Sequence, residues 1–275
     1  MQDVKLVVCD LDGTLLNSDH LISDYSKETI ELLMDKGITF VPCTGRDFKN
    51  IPEYFRTHDK IQYLIGANGS QIFDVHNDKL LHEFYLSKEE IYKVLEVMPE
   101  MVPNMILTTT ESIYITQGIL DSLQDVDDNF REFLMNNRII VDDFMPLIEQ
   151  ATHGVPKLDF DFIDPQHRLD TYKKLQELDF ISITSSHFRN LEVTHKNATK
   201  GHALNILADL LNIDLNHTMA FGDNDNDASM MKIVKYPIAM ANATELLKQH
   251  AKYTAPCHNE DGVAQVLRQH ILNDL

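Results

Sequence analysis

Two acidic motifs in this chain contain residues that could bind a cation or transfer a proton. Asp10 and Asp12 follow the apolar run LVVC, and Gly13 comes directly after them. The segment GDNDND, residues 222–227, follows a second apolar run, TMAF. Carboxylates that lie within about 4 to 6 Å of each other raise each other's pKa, and a divalent cation removes that cost. Because Mg²⁺ prefers hard oxygen ligands, the two motifs together predict a magnesium site.

Two further motifs carry the donors that a phosphate group needs. Thr44 and Gly45 directly follow the apolar segment ITFVPC, and Lys200 begins a segment with helical spacing of apolar residues. A threonine hydroxyl, backbone N–H groups and a compact lysine charge all suit phosphoryl oxygens. Lys196 precedes Lys200 and is a rival for the same role. We favour Lys200 because Thr199 is the expected N-cap, and the start of a helix binds anions.

A parallel sheet would bring these motifs together. The strand-like segments KLVVCD and ITFVPCT flank a helical pattern from Ser23 to Lys36, with Gly37 as its end. Further strand candidates are IQYLIGANG, the hairpin-like SQIFDVHNDKLLHEF, HTMAFGD and YPIAMAN. This alternation predicts an α/β fold with a doubly wound parallel sheet and helices on both faces. The carboxyl ends of such strands form a ligand crevice, so the four motifs should converge there.

The pattern changes between about Glu83 and Asn190. Ser87 and Glu90 form a capping box that opens a helix. The strand candidates that follow are MILTTT, SIYIT, KLDFDF and FISITS, mixed with helical segments near residues 121–136 and 165–175. We therefore predict an inserted α+β domain at residues 85–189, with residues 1–84 and 190–275 forming the core.

Composition narrows the class of protein. The 275 residues are 43% hydrophobic, which is enough for a sizeable core and for two domains. A net charge of -19 disfavours nucleic acid and anionic membranes, which are held mainly by lysine and arginine. No run approaches the roughly 20 apolar residues of a membrane span, and the acidic start does not suit a secretory signal. We expect a cytoplasmic protein that binds neither nucleic acid nor membrane.

Taken together, the four motifs resemble those of the haloacid dehalogenase (HAD) superfamily of phosphatases. DLDGT, Thr44, the Lys200-Gly201 pair and GDNDND occur in the order that the family shows. The chain is more narrowly similar to the Cof-type branch with a type IIB cap, because Asn68-Gly69 follows the third strand and IAMANATELLK and NEDGVAQVL follow the fourth motif. The resemblance covers the core, whereas the cap, the inserted domain, matches in size and position only. Family members are often monomers or dimers.

The resemblance implies a catalytic role for each motif. Asp10 would be the nucleophile that forms an aspartyl phosphate. Asp12 would protonate the leaving oxygen and then activate the water that hydrolyses this intermediate. Thr44 and Lys200 would neutralise the transferring phosphoryl oxygens.

The resemblance also implies ligand sets for a cation and a substrate. Mg²⁺ would be held by the Asp10 side chain, the Asp12 backbone carbonyl and Asp223, with Asp227 in support. The residues implied in substrate or phosphate binding are Thr44, Gly45, Arg46, Asn68, Lys200 and Asn226.

The expected substrate is a small soluble phosphate ester, such as a sugar phosphate or a cofactor-like phosphate. Contacts from the cap to it are expected at Ser185, Ser186 and His187. One alternative is a phosphomutase with the same core, which would need a bisphosphate activator and release no phosphate. The other is a non-enzymatic regulator that binds a phosphometabolite, although such a protein would not need the acid/base at Asp12.

Overall fold

The computed structural model separates into two compact units. The described residues are 1, 3–110, 112–122, 138–185 and 189–273. The first unit comprises Met1–Arg46, Ile51–His82 and Thr199–Leu275, and the second comprises Asp47–Asn50 and Glu83–Ala198. Within the described ranges, no helix is both long enough and apolar enough to cross a membrane.

The helices and strands follow the sequence patterns closely. In chain order, the strands are β1 Leu6–Cys9, β2 Thr39–Pro42, β3 Tyr63–Gly66, β4 Gln71–Asp74, β5 Lys79–Glu83, β6 Met105–Thr108, β7 Ile113–Ile115, β8 Arg138–Ile140, β9 Lys157–Asp161, β10 Ile181–Thr184, β11 Asn190–His195, β12 Thr218–Gly222, β13 Tyr236–Met240 and β14 Tyr253–Ala255. The helices are α1 Asp24–Asp35, α2 Glu53–Thr57, α3 Lys88–Val97, α4 Gln117–Ser122, α5 Met145–Gln150, α6 Pro165–Leu175, α7 Lys200–Leu211, α8 Ala228–Met231, α9 Glu245–Lys248 and α10 Gly262–Leu267.

The first unit contains a parallel sheet in the order β14-β13-β12-β1-β2. Every residue of β1 is buried, as expected for a central strand covered on both faces. A parallel bridge between Cys43 and Ile65 continues the sheet to β3, which pairs antiparallel with β4 of the predicted hairpin. The predicted α/β class with a parallel sheet is therefore confirmed.

Two capped helices support this sheet. The side chain of Ser23 accepts a hydrogen bond from the Ser26 N–H and so caps α1, which contacts β2 and α10. Thr199 accepts from the His202 N–H at 3.2 Å and caps α7, as the sequence predicts. The apolar stripe of α7 packs with Leu6 and Val8 of β1 in one buried cluster. This packing fixes the start of α7 relative to the strands.

The second unit is built on a sheet in the order β10-β11-β9-β6-β7-β8. The segments MILTTT, SIYIT, KLDFDF and FISITS contain β6, β7, β9 and β10 respectively. Leu158 and Phe160 of β9 lie in the apolar core of this unit, so Lys157 and Asp159 alternate onto the opposite face. The helical prediction at 121–136 starts within α4, and its remainder lies outside the described residues.

The predicted boundary at residue 189 divides the chain differently from the observed contacts. It assigns β11 to the core, whereas β11 pairs antiparallel with β9 and β10 in the second unit. Segment 47–50 also belongs to the second unit. Strand pairing depends on residues that are distant in sequence. The local change in the sequence pattern near Asn190 therefore did not mark the residue at which the core resumes.

Candidate active site

Three of the predicted motifs lie at the same edge of the first unit's sheet. Asp10 follows β1, Thr44 comes shortly after β2, and Asp223 follows β12. The strands β12, β1 and β2 are parallel neighbours, so their carboxyl ends meet. Asp10 and Thr44 are buried. The edge of the sheet thus places polar side chains against an apolar interior.

Lys200 joins this group from the first position of α7. Its Nζ lies 2.5 Å from Asp10 Oδ1 and 2.6 Å from Asp227 Oδ1, and its side chain is fully buried. Burial alone would lower the pKa of Lys200, but the attraction of Asp10 and Asp227 outweighs it and raises that pKa. The rival Lys196 is exposed and belongs to the second unit. Within the first unit, the structure therefore brings Lys200 to the aspartates.

Three aspartates form a cluster that suits a divalent cation. Asp10, Asp223 and Asp227 each offer a carboxylate oxygen within 4.8 Å of the others. Burial, reinforced by Asp227 and Asp223, raises the pKa of Asp10 well above its usual range. Burial and the neighbouring Asp227 raise the pKa of Asp223 to about 7. Crowded anions of this kind are what a hard cation with oxygen ligands would stabilise, so the residues fit Mg²⁺.

Asp227 also shapes the loop that carries Asp223. Its Oδ2 accepts hydrogen bonds from the backbone N–H groups of Asp223 at 2.9 Å and Asn224 at 3.1 Å. Its Oδ1 meets Lys200, so both of its oxygens have partners within the protein. Asp227 therefore links the acidic loop to the buried lysine.

Gly13 allows the first motif to approach Asp223. Its φ is 76°, and a Cβ at this position would lie 2.4 Å from Asp223 Oδ2. The neighbouring Thr14 donates from its hydroxyl to Asp223 Oδ1 at 3.1 Å. A side chain at position 13 would displace Asp223, so the turn after the two aspartates needs glycine.

Asp12 has different partners from Asp10. Arg46 donates from Nε to Asp12 Oδ2 at 2.7 Å and from Nη2 to Oδ1 at 2.6 Å. His20 Nδ1 lies 3.0 Å from the same Oδ1. Burial would raise the pKa of Asp12, but hydrogen bonds from Arg46 and His20 hold it well below its usual range. The sequence predicts Arg46 as a substrate contact, whereas the structure pairs it with Asp12.

Four of the predicted phosphate-binding residues, Thr44, Arg46, Asn68 and Asn226, form one hydrogen-bonded network. Thr44 Oγ1 accepts from the Arg46 N–H at 3.1 Å, and the Thr44 carbonyl accepts from the Asn68 N–H at 3.1 Å. Asn68 Oδ1 accepts from Asn226 Nδ2 at 3.0 Å. A Cβ on Gly45 would lie 2.8 Å from that same Oδ1. The network connects the loops after β2, β3 and β12.

Comparison with known proteins identifies the family. The family model described as haloacid dehalogenase-like hydrolase matches residues 7–267. The chain belongs to this family. It is a Cof-type HAD phosphatase with the architecture of the type IIB branch, as the four motifs predicted together with Asn68-Gly69, the inserted domain and the segments after the fourth motif.

Relatives and solved structures match the HAD phosphatase over nearly its whole length. 5-Amino-6-(5-phospho-D-ribitylamino)uracil phosphatase YcsE of Bacillus subtilis is 30% identical over 98% of this chain and 97% of its own. A haloacid dehalogenase-like hydrolase structure from B. subtilis has a TM-score of 0.86 and 26% identity, covering 98% of this chain and 100% of its own. The HAD subclass IIB sugar phosphatase BT4131 has a TM-score of 0.83 and 22% identity, covering 99% and 100% respectively, and it supports the fold alone.

The second unit of the phosphatase carries a further charged cluster that sequence reasoning did not single out. Lys157 Nζ lies 3.1 Å from Asp159 Oδ2 and 3.7 Å from Glu192 Oε1. The alternation of polar and apolar residues in KLDFDF was the available signal for a polar sheet face. Of the expected cap contacts, Ser185 accepts a hydrogen bond from Arg168 Nη2 at 2.9 Å. Ser186 and His187 lie outside the described residues.

Proposed function

We propose that this HAD phosphatase is a Mg²⁺-dependent phosphomonoesterase that acts on a small soluble phosphate ester, such as a sugar phosphate or a cofactor-like phosphate. The observation that supports this most strongly is the buried contact of Lys200 with Asp10, beside the carboxylates of Asp223 and Asp227. A lysine buried against a nucleophile candidate can neutralise an incoming phosphoryl oxygen without reorganisation.

The proposed reaction has two steps. In the first step, an Asp10 oxygen attacks phosphorus, the ester P–O bond breaks, and the leaving oxygen takes a proton from Asp12. In the second step, Asp12 as a carboxylate takes a proton from water, the water oxygen attacks phosphorus, and the P–O bond to Asp10 breaks, which regenerates the Asp10 carboxylate and releases inorganic phosphate. Arg46 holds Asp12 in the carboxylate form, which suits the second step. Protonation for the first step requires this pairing to loosen.

The ligands proposed for Mg²⁺ are the Asp10 side chain, the Asp12 backbone carbonyl and Asp223, with Asp227 in support. When bound, the cation supplies positive charge that lets an anionic carboxylate approach an anionic phosphate. Thr44 has accepted one hydrogen bond from Arg46 and retains its hydroxyl hydrogen to donate. We assign Thr44 and Lys200 to the phosphoryl oxygens, and Gly45, Asn68 and Asn226 to the loops that shape that pocket.

The experiment is a phosphate-release screen over several dozen phosphomonoesters, with Mg²⁺ or with EDTA, ranked by kcat/KM. The panel includes 5-amino-6-(5-phospho-D-ribitylamino)uracil, because a relative carries that name. Asp10→Asn should abolish turnover, since an amide is not a competent nucleophile. Asp225→Asn is the matched control, because Asp225 is exposed in the same acidic loop and should keep wild-type turnover.

Each outcome of this screen has a definite meaning. Mg²⁺-dependent turnover that Asp10→Asn abolishes supports the proposal, and turnover retained by Asp10→Asn contradicts the mechanism. Activity that needs a bisphosphate activator and releases no phosphate would identify a phosphomutase instead. Mg²⁺-dependent binding without turnover would identify a regulator. The cytoplasmic location and the monomeric or dimeric state stay predictions.

A further inference from the structure

His20 contacts the acid/base candidate although it lies outside all four motifs. It is held in a tight turn organised by Asn17. The Asn17 side-chain oxygen accepts from the N–H groups of Asp19 at 3.0 Å and Leu21 at 2.9 Å. The His20 N–H donates to the Asn17 carbonyl at 2.9 Å, and the Asn17 N–H donates to the Leu21 carbonyl at 3.0 Å. The turn therefore presents the His20 side chain in a defined direction.

The backbone of His20 adopts an unusual conformation in this turn. Its φ is 58°, in the left-handed region, which is unfavourable for a residue with a Cβ. Such conformations persist where the surroundings impose them, and they cluster at functional sites. Here the conformation brings Nδ1 to 3.0 Å from Asp12 Oδ1, although the imidazole is half exposed.

The direction of this hydrogen bond follows from its partner. The Asp12 carboxylate can only accept, so His20 Nδ1 must carry the hydrogen. Arg46 Nη2 lies 3.3 Å from the same nitrogen, but a donating Nδ1 cannot also accept from it. Asp12 Oδ1 thus receives hydrogen bonds from Arg46 and from His20.

We propose that His20 is a positioning residue that keeps the Asp12 carboxyl group oriented for proton transfer. The inference rests on the proposed function, in which Asp12 protonates the leaving oxygen. Arg46 must loosen its hold for that step, and His20 then remains as the donor that fixes the rotation of the carboxyl group. General acid catalysis contributes about 10² to 10⁴-fold, and part of this depends on geometry.

Two substitutions separate the effect of the Nδ1 hydrogen-bond donor of His20 from the effect of its left-handed backbone conformation. His20→Gly and His20→Asn both tolerate the left-handed conformation, but only asparagine keeps a nitrogen donor near the position of Nδ1. For an alkyl phosphate, we expect His20→Gly to lower kcat/KM about tenfold and His20→Asn to stay within about threefold of the wild type. Asp19→Asn is the matched control, because it changes the adjacent exposed residue of the same turn.

The dependence of kcat/KM on the leaving group distinguishes positioning of Asp12 from a purely structural role of His20. The ratio kcat/KM reports the steps up to phosphoryl transfer to Asp10. With p-nitrophenyl phosphate, whose leaving group needs little protonation, His20→Gly should lower kcat/KM less than about threefold. A greater loss with the alkyl phosphate than with the aryl phosphate, together with rescue by His20→Asn, supports the inference.

Three outcomes would overturn the inference. They are wild-type kcat/KM in His20→Gly, equal losses for the two substrates, and an equal loss in His20→Asn and His20→Gly. Failure of the proposed function is read separately, from the absence of phosphate release by the wild-type protein. The two failures are therefore distinguishable.

Discussion

Each of the two units buries a lysine against carboxylates, but their sheets hold these groups in different ways. In the first unit, Lys200 begins a helix, and its partners Asp10 and Asp227 lie in loops beyond strand ends. In the second unit, Lys157 pairs with Asp159 of the same strand and approaches Glu192 of the neighbouring strand. Loop residues at a sheet edge can converge on a ligand, whereas residues along a strand are held by the hydrogen-bond ladder.

The two clusters also differ in charge balance. Asp223 adds a third carboxylate to the first cluster, so three acids face one lysine. The second cluster has two acids and one lysine, and Arg138 adds a favourable charge interaction with Asp159. A bound cation would therefore stabilise the first cluster more than the second. The charge balance, and not the presence of a buried lysine among acids, is therefore what distinguishes the two clusters.

The largest expected difference between the clusters is in turnover after loss of the lysine. Lys200→Met should lower kcat by at least about 10³-fold, because it removes the charge that faces the phosphoryl group. Lys157→Met should keep kcat for p-nitrophenyl phosphate within about tenfold. Both changes leave buried carboxylates without their partner and should cost about 3 to 5 kcal/mol of stability. The measurements are steady-state kinetics and urea unfolding, and equal loss of kcat in both variants would contradict the comparison.

A pair of glycine substitutions, one in each unit, should give a smaller difference in kcat. Gly13→Ala forces a Cβ to within 2.4 Å of Asp223 Oδ2, so kcat should fall about 10 to 100-fold. Gly154 also has a left-handed φ, of +107°, and a Cβ there would lie 2.0 Å from the Leu86 carbonyl oxygen. Gly154→Ala should reduce stability by about 1 kcal/mol or more, with a smaller effect on kcat. Kinetics and thermal unfolding of the two variants test this, and a larger kcat loss in Gly154→Ala would reverse the comparison.

A third expected difference, without a large effect on kcat, is in the pH dependence of stability. Burial, with repulsion from Glu192, raises the pKa of Asp159 from 3.8 to about 6. Between these pH values the folded protein binds more protons at Asp159 than the unfolded chain does. The free energy of unfolding that protonated Asp159 contributes is therefore lost as the pH rises from about 4 to 6. Asp159→Asn should reduce the fall in the free energy of unfolding between pH 4 and 6 by about 1 to 3 kcal/mol. In the presence of EDTA, Asp223→Asn should likewise reduce the fall in the free energy of unfolding, over the range from about pH 4 to pH 7.

Urea unfolding at several pH values measures this difference. The slopes of the wild-type protein and the two variants are compared in EDTA, so that no cation binds the first cluster. Curves for Asp159→Asn that run parallel to the wild-type curve between pH 4 and 6 would show that Asp159 has an ordinary pKa.

The sequence predicted the elements of the fold better than their partners. The run LVVC and the helical pattern from Ser23 to Lys36 were sufficient to locate β1 and α1, because the periodicity of apolar residues and the glycine that ends a helix are local signals. The strand β11 was assigned to the wrong unit, since its pairing with β9 depends on residues about thirty positions away. In the candidate site, the convergence of Asp10 and Asp223 was predicted from their positions at strand ends, and that of Lys200 from its position at the start of a helix. The contacts of Asp12 with Arg46 and His20 were not, because no local pattern states which arginine or histidine will face a given carboxylate.

By itself, the sequence determined the α/β class, the HAD family and the identities of the acids and lysine that could do phosphoryl chemistry. Those properties follow from residue type, local periodicity and the order of four motifs. Only the tertiary structure decided that Lys200 lies between Asp10 and Asp227, that Arg46 and His20 hold Asp12, and that Lys157 forms a second buried cluster. The physical reason is that hydrogen bonds and charge interactions depend on distances of a few ångströms, which packing of distant segments sets.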